Sequence, residues 1–150
     1  MHELRLSLAY AAQADFAKAH ALARASVRDD PKLVDARVQL GQLLMSSGAP
    51  ARALAEFEAA QQLEPRSEVI LLMRARAVME LGEFRSAIAS LQEAAGINPY
   101  HRQVLRDLAW TYSHLGEYPA AIRTFQQYFA AGYSDAESQR KLVQLMRASG

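Results

Sequence analysis

The chain has 150 residues, of which 51% are hydrophobic and 22% charged, a balance typical of a folded globular protein rather than a disordered one. No run of about 20 apolar residues occurs, and charges of both signs are interspersed around a net charge of +1, so neither membrane insertion nor a nucleic-acid partner is expected. The absence of cysteine excludes disulfide bonds and thiolate chemistry, and it leaves both cytoplasm and periplasm open as compartments.

Short breaks recur every 34 residues along the chain, and a segment with apolar residues at helical spacing lies on each side of every break. Glycine at a break lets the backbone turn through a left-handed conformation at little steric cost. Each unit is therefore predicted to be a helix, a turn and a second, antiparallel helix. The breaks are at Ala14, Gly48, Gly82 and Gly116, and prolines with the same spacing follow the second helices at Pro31, Pro65 and Pro99.

Small and large residues keep the same spacing, which indicates how the helices pack. Small residues allow two helices to approach closely, and large residues fill the spaces that remain, so both sets are expected in the core. The small positions are Gly41, Ala75 and Ala109 on first helices and Ala53, Ala87 and Ala121 on second helices. The large positions are Phe57, Leu91 and Phe125 at one site and Phe16, Phe84 and Tyr118 at another.

The periodicity predicts a single domain over residues 1–150. Its repeats are expected at about 1–33, 34–67, 68–101 and 102–135, followed by a last helix over 136–150. In register, this last helix is either a solvating cap or the first helix of a fifth repeat. Its polar side suits a cap, whereas the start of the chain inside a first helix favours a fragment of a longer array.

Two repeats carry the pattern most fully. The second has Leu40, Gly41, Leu44, Ala53, Phe57 and Pro65, and the fourth has Leu108, Ala109, Tyr112, Ala121 and Phe125. In this order the residues resemble the tetratricopeptide repeat, W-x-x-L-G-x-x-Y, then A-x-x-x-F, then P. Departures such as Arg37 at the opening aromatic position and Arg74 at the expected leucine leave the periodicity intact. The resemblance covers nearly the whole chain and implies an all-α fold, a right-handed α-solenoid of stacked helix-turn-helix repeats.

In the resembled family, the first helices line a concave groove that holds an extended peptide or a helix of a partner. The resemblance implies a groove with an apolar middle, in which methionine adapts to irregular surfaces, arginine binds carboxylates and tryptophan offers a large contact area. The lysine and asparagine clamp with which some members grip a C-terminal carboxylate is absent. The implied groove positions are Gln39, Gln42, Met45, Met73, Arg76, Met79, Arg106, Asp107, Trp110 and His114, with Leu4 and Leu8 in the first repeat.

Some of these positions admit a structural interpretation as well. Trp110 is either a ligand anchor or a residue packed between adjacent helices. Arg76 and Arg106 are expected to be solvated or paired with Asp107 and Glu80 rather than reserved for a ligand.

No constellation of catalytic residues is visible. The histidines fall at unrelated repeat positions, and no phosphate-binding loop, paired-histidine helix or nucleophile elbow occurs. We therefore expect a non-enzymatic protein without cofactor or metal.

The leading hypothesis is a scaffold that binds a peptide or helix of a partner protein in the concave groove, within a bacterial assembly, secretion or envelope-biogenesis system. One alternative is a module that self-assembles head to tail, as a homo-oligomer, through the two ends of the array. Another is a targeting or regulatory domain of a larger enzyme.

Overall fold

The computed structural model describes Arg5 and residues 16–149, and these residues form helices joined by short turns, with no strand among them. Leu4, Leu8, Ala14 and most of the first predicted helix lie outside the described residues. The helices are α1 (Phe16–Asp29), α2 (Val34–Ser46), α3 (Pro50–Leu63), α4 (Glu68–Glu80), α5 (Phe84–Ile97), α6 (Arg102–His114), α7 (Tyr118–Ala130) and α8 (Ala136–Ser149).

The helices form a linear stack in which each one packs against the helix before it and the helix after it in sequence. The even-numbered helices are the first helices of successive units, and the odd-numbered helices are the second helices. Buried residues form three clusters along the stack. Leu54 and Met73 pack against two of these clusters and Tyr112 also joins two, so the core is a continuous seam. The predicted all-α, right-handed solenoid of helix-turn-helix repeats is confirmed.

The turns within the units depend on glycine. Gly48, Gly82 and Gly116 have φ angles of 79°, 81° and 77°, in the left-handed region that side chains with a Cβ rarely adopt. In each turn the glycine amide and the amide after it donate to carbonyl oxygens at the end of the preceding helix, which satisfies acceptors that the helix leaves open. The predicted role of these glycines as turn residues is confirmed.

The core confirms one aromatic series and corrects the other. Phe57 and Phe125 are fully buried, as predicted. Phe16 and Tyr118, which were expected to fill spaces between helices, are 46% and 40% exposed. Each is the first residue of a second helix, next to the turn that precedes it. Position in the repeat therefore did not predict burial at the first residue of these two second helices.

Two departures from the family pattern are compensated by polar contacts. Arg37 Nη1 donates to Glu56 Oε2 at 3.0 Å, which ties α2 to α3. Arg74 Nη1 donates to the hydroxyl of Ser90, and its Nη2 lies 3.7 Å from Glu58 Oε1. An arginine thus replaces an apolar contact at each site because the facing second helix supplies an acceptor.

Candidate binding surface

The first helices pack more closely together than the second helices do. Helix α2 contacts α4 and α4 contacts α6, whereas α3, α5 and α7 make no comparable contact with one another. A stack that is tighter along one side curves toward that side. We call the surface formed by α2, α4, α6 and α8 the first-helix face; it lies on the inner side of this curve.

Three side-chain contacts between neighbouring first helices share the same offset. In each of them the second residue follows the first by 31 positions, about one turn short of the 34-residue repeat, because adjacent helices in the stack are staggered along their axes. The contacts are Gln42 Nε2 to Met73 Sδ at 3.7 Å, Arg76 Nε to Asp107 Oδ2 at 2.8 Å, and Arg106 Nη2 to Glu137 Oε2 at 3.0 Å. Five of the ten predicted groove residues therefore meet one another or α8 across this face.

The two groove arginines are paired with carboxylates. Arg76 pairs with Asp107, as the structural interpretation predicted. Arg106 is also paired, but with Glu137 and, at 3.5 Å, with Asp135 Oδ2, neither of which was among the expected partners Asp107 and Glu80. The reason is again the stagger of the helices, which directs Arg106 toward the next first helix, α8.

The predicted methionines lie on α2 and α4 of this face. Met45 packs against the buried cluster around Phe57, and Met73 packs against that cluster and the next one. Met79 Sδ lies 3.2 Å from Thr111 Oγ1, whose hydroxyl donates to the Asp107 carbonyl oxygen at 2.6 Å. These methionines and Gln39 are half-buried, so each is partly packed and partly available at the surface.

Trp110 lies at the junction of α6 and α8. Its ring meets Phe125 edge-on at 5.7 Å between centroids, and Arg106 and Lys141 each lie 5.7 Å from the centroid of the indole. Such geometry is favourable for cation–π attraction. The Trp110 Nε1 donor is covered and has no hydrogen-bond partner. Trp110 is therefore both packed, as the structural interpretation holds, and left with an unused donor.

A cavity of about 440 Å³ opens beside Trp110, in the range of small ligand pockets. Its lining includes five predicted groove residues, Met79, Arg106, Asp107, Trp110 and His114. The other lining residues are Phe84, Thr111, Ser113 and Lys141. A second cavity, of about 470 Å³, shares Trp110 and Lys141 and continues along Glu137, Arg140 and Gln144.

Four residues that line the first cavity were not among the predicted groove residues: Phe84, Thr111, Ser113 and Lys141. Phe84 had been assigned to the core, but its ring stacks on His114 with 4.1 Å between centroids. Lys141 belongs to the polar side of the last helix, which the sequence analysis interpreted as suited to a cap. The 31-residue offset would have found Lys141, because Lys141 follows Trp110 by that interval.

Near Trp110 and α8, the acidic side chains are paired, whereas two of the basic side chains are not paired within the described part of the chain. Asp107 and Glu137 are engaged by arginines, whereas Arg140 and Lys141 have no carboxylate within 4.0 Å among residues 16–149. Asp135 lies just before α8. Burial raises the pKa of its carboxyl, but the Ser138 amide, the Tyr128 hydroxyl and the charge of Arg106 outweigh this effect and lower the pKa to about 2. Asp135 is therefore ionised at neutral pH and adds a negative charge beside Arg106, whereas Lys141 and Arg140 keep no carboxylate partner among residues 16–149.

Within Arg5 and residues 16–149, no three His, Asp or Glu side chains are grouped as a metal site would require. In the same part of the chain, each helix is too short or too polar to cross a bilayer.

Two models of the tetratricopeptide repeat family match the chain, one over residues 4–68 and the other over residues 78–145. No curated protein matches the sequence. The fold is similar to that of MamA, with a TM-score of 0.89 and 20% identity over 96% of this chain and 84% of that one. It is also similar to PilF of Pseudomonas aeruginosa (TM-score 0.87, 18% identity, 99% and 68% covered). A third similar structure is a thermophilic protein of the same family from Thermus thermophilus (TM-score 0.78, 21% identity, 99% and 82% covered).

These likenesses in structure concern the fold, whereas the matches to family models concern the sequence and together span most of the chain. The chain belongs to the tetratricopeptide repeat family, whose members are generally non-enzymatic scaffolds for protein–protein interaction.

Proposed function

We propose that the chain is a non-enzymatic scaffold, folded as one domain, that binds a peptide segment or a helix of a partner protein on the first-helix face. We place it in a bacterial assembly, secretion or envelope-biogenesis system, and this part of the proposal rests on the family resemblance alone.

The cavity beside Trp110 is the observation that carries the proposal. It brings five of the ten predicted groove residues together with Phe84 and Lys141, and it combines an indole, a methionine and cationic groups. Tryptophan and arginine are the residue types that most often dominate binding energy at protein interfaces. A polypeptide offers this site both apolar side chains and hydrogen-bond acceptors.

The methionines between the second and fourth units extend the surface toward α2. Met45 and Met73 are half-buried and carry flexible, polarizable side chains that repack around partners of irregular shape. The partner would therefore run across several repeats, with its apolar side chains on this stretch.

Self-association is a second candidate, favoured by one observation at the end of the stack. Val143 and Met146 on α8 are 48% and 49% exposed, although Ala109, the residue on α6 equivalent to Val143, is fully buried beneath a second helix. A second copy of the chain would cover this surface. Its predicted counterpart at residues 4–10 lies, except for Arg5, outside the described residues.

Capture from a lysate tests the scaffold proposal. The wild-type protein and Trp110→Ala are immobilised, exposed to lysate of the source organism, and the retained proteins are compared by quantitative mass spectrometry. Arg106 is left unchanged because it is tied to Glu137 and Asp135. Proteins retained by the wild type and lost from Trp110→Ala would support the proposal.

Tyr118→Ala provides the matched control, since it removes an aromatic ring from the second helix α7. Retention that is equal for the wild type and both variants would move the binding surface away from the first-helix face. Sedimentation at rising concentration tests self-association: the mass of the wild type should rise and that of Val143→Glu should not, and a constant wild-type mass would exclude this candidate.

A further inference from the structure

The two cavities beside Trp110 form a path that continues in both directions. The first reaches back along α6 to Met79 near the end of α4 and Phe84 at the start of α5, and the second runs forward along α8 to Arg140 and Gln144. Both share Trp110 and Lys141. A polypeptide lying on the first-helix face would therefore pass Trp110 rather than end there.

The two sides of Trp110 differ in chemistry. On the α4 side, Met73 and Met79 are half-buried, and the nearby Arg76 is paired with Asp107. On the α8 side, Lys141 and Arg140 lack carboxylate partners among residues 16–149. Apart from the Trp110 ring, Lys141 has a long contact of 3.5 Å with Gln144 Oε1. One side favours apolar groups and the other favours a negative charge.

The cations beside Trp110 are held in position by the surface itself. The Lys141 ammonium lies 5.7 Å from the indole centroid, which limits the range of positions it samples. Arg106 lies on the same ring and is fixed by Glu137, so Lys141 is the cation on this ring that remains available to a ligand. A carboxylate brought to Lys141 would find an ordered cation at the edge of a partly desolvated aromatic surface, where a charge-assisted hydrogen bond is strong.

Trp110 adds an unused donor at this point. Its Nε1 is covered in the free protein and has no acceptor, and leaving a buried donor unpaired is unfavourable. A local side-chain movement that accompanies binding would expose this atom to an acceptor on the occupant. The Lys141 ammonium would then bind the acidic group of the occupant, and the Trp110 indole would donate to an acceptor next to it.

From this arrangement we infer that the occupant of the first-helix face is an amphipathic segment of a partner protein with a defined direction. Its apolar side chains lie on the methionines before Trp110, and the carboxylate of an internal Asp or Glu side chain binds Lys141 with Arg140 beside it. This inference rests on the proposed function, because it specifies the chemistry of the segment bound there.

The test begins with a random library of 12-residue peptides displayed on phage and selected against the whole protein. The selected peptides should contain an Asp or Glu flanked on one side by apolar residues. The best peptide is then synthesised, and its Kd is measured for the wild type, for Lys141→Gln and for Lys32→Gln. Lys32 lies in the turn before α2, far along the chain from Trp110, and provides a charge-matched control.

Lys141→Gln should weaken binding about tenfold, as expected for loss of a hydrogen bond between charged groups, and Lys32→Gln should leave Kd unchanged. Replacing the acidic side chain of the peptide by its amide should cause the same loss on the wild type and little further loss on Lys141→Gln. A loss that follows amidation of the peptide C terminus instead would overturn the assignment to an internal side chain.

The inference and the proposed function can fail separately. Peptides whose binding depends on Trp110 and Met73 but not on Lys141 or on their own carboxylate would overturn the acidic specificity and leave the groove function in place. If no peptides are enriched, or if those enriched bind Trp110→Ala and Met73→Ala as well as the wild type, the groove function itself would be refuted and the inference with it.

Discussion

Arg76 on α4 donates to Asp107 on α6 at 2.8 Å, which joins the first helices of two successive repeats. The two side chains are 37% and 15% exposed. This pair is therefore partly withdrawn from water, unlike Arg85 and Glu117, which are 76% and 37% exposed at the same distance. Comparing the two pairs shows how much more an ion pair on the first-helix face contributes to stability than an exposed pair elsewhere on the surface.

A double-mutant cycle on Arg76→Ala and Asp107→Ala should give a coupling free energy of about 1 kcal/mol, because partial burial reduces screening by solvent. The cycle on Arg85→Ala and Glu117→Ala should give about 0.5 kcal/mol or less. Both are measured by urea unfolding. Equal coupling free energies for the two pairs would show that the first-helix face does not strengthen the ion pair.

Gly41→Ala tests the closest approach between a first and a second helix. A Cβ at this position would overlap the ring of Phe57 and lie 2.8 Å from Phe57 Cζ. Because overpacking forces side chains and backbone to shift, we expect a loss of about 1 to 3 kcal/mol in the free energy of unfolding.

The chain itself offers the rescue for this variant. The next repeat has Ala75 with Leu91 in the corresponding positions, both fully buried. Phe57→Leu added to Gly41→Ala should therefore restore part of the stability lost. A double variant as unstable as the sum of the two single changes would contradict the steric explanation.

Gly82→Ala tests the left-handed turn between α4 and α5. With φ at +81° and open space around a new Cβ, only backbone strain should matter, and the change should cost about 1 kcal/mol or somewhat more. Gly96→Ala in α5 is the control, since it also meets open space but has no positive φ. It should stabilise the helix by about 0.5 to 1 kcal/mol. The free energy of unfolding of both variants is measured by chemical denaturation. A change in the same direction for both would contradict the argument from backbone strain.

Asp135 predicts how stability depends on acid pH. Its folded-state pKa of about 2 lies below the ordinary value of 3.8, so the ionised carboxylate stabilises the fold above about pH 4. This contribution is lost as the pH falls through about 2. Thermal unfolding followed from pH 5 to pH 2 should therefore show a steeper decline for the wild type than for Asp135→Asn.

Asp135→Ala separates the charge from the helix cap. Asp135 Oδ1 accepts from the Ser138 amide at 2.7 Å, at the start of α8, and asparagine retains this capping interaction. Asp135→Ala should cost about 1 to 2 kcal/mol at neutral pH, more than Asp135→Asn. If both variants follow the wild-type decline with pH, another carboxylate is responsible.

The repeat pattern was sufficient to predict the helices, the glycine turns and the buried series that contains Phe57 and Phe125. It could not predict the exposure of Phe16 and Tyr118, because burial at a helix end depends on the neighbouring turn as well as on register. It also could not predict the site around Trp110 in full. Register identifies equivalent positions, whereas contacts follow the stagger between helices, which brings Lys141 to Trp110 and turns Arg106 toward Glu137 rather than Glu80.

The central claim, that a partner lies on the first-helix face, is tested most directly by photo-crosslinking. Benzoylphenylalanine is introduced at Gln42 or His114, which are exposed on this face, or at Ala89 or Gln126, which are exposed on second helices. Each protein is irradiated in the presence of a captured partner, and the crosslinked peptides are identified by mass spectrometry. Crosslinks to the partner from Gln42 and His114 and none from Ala89 and Gln126 are the predicted result. Crosslinks from Ala89 and Gln126 alone would contradict the claim and assign the function to the outer surface.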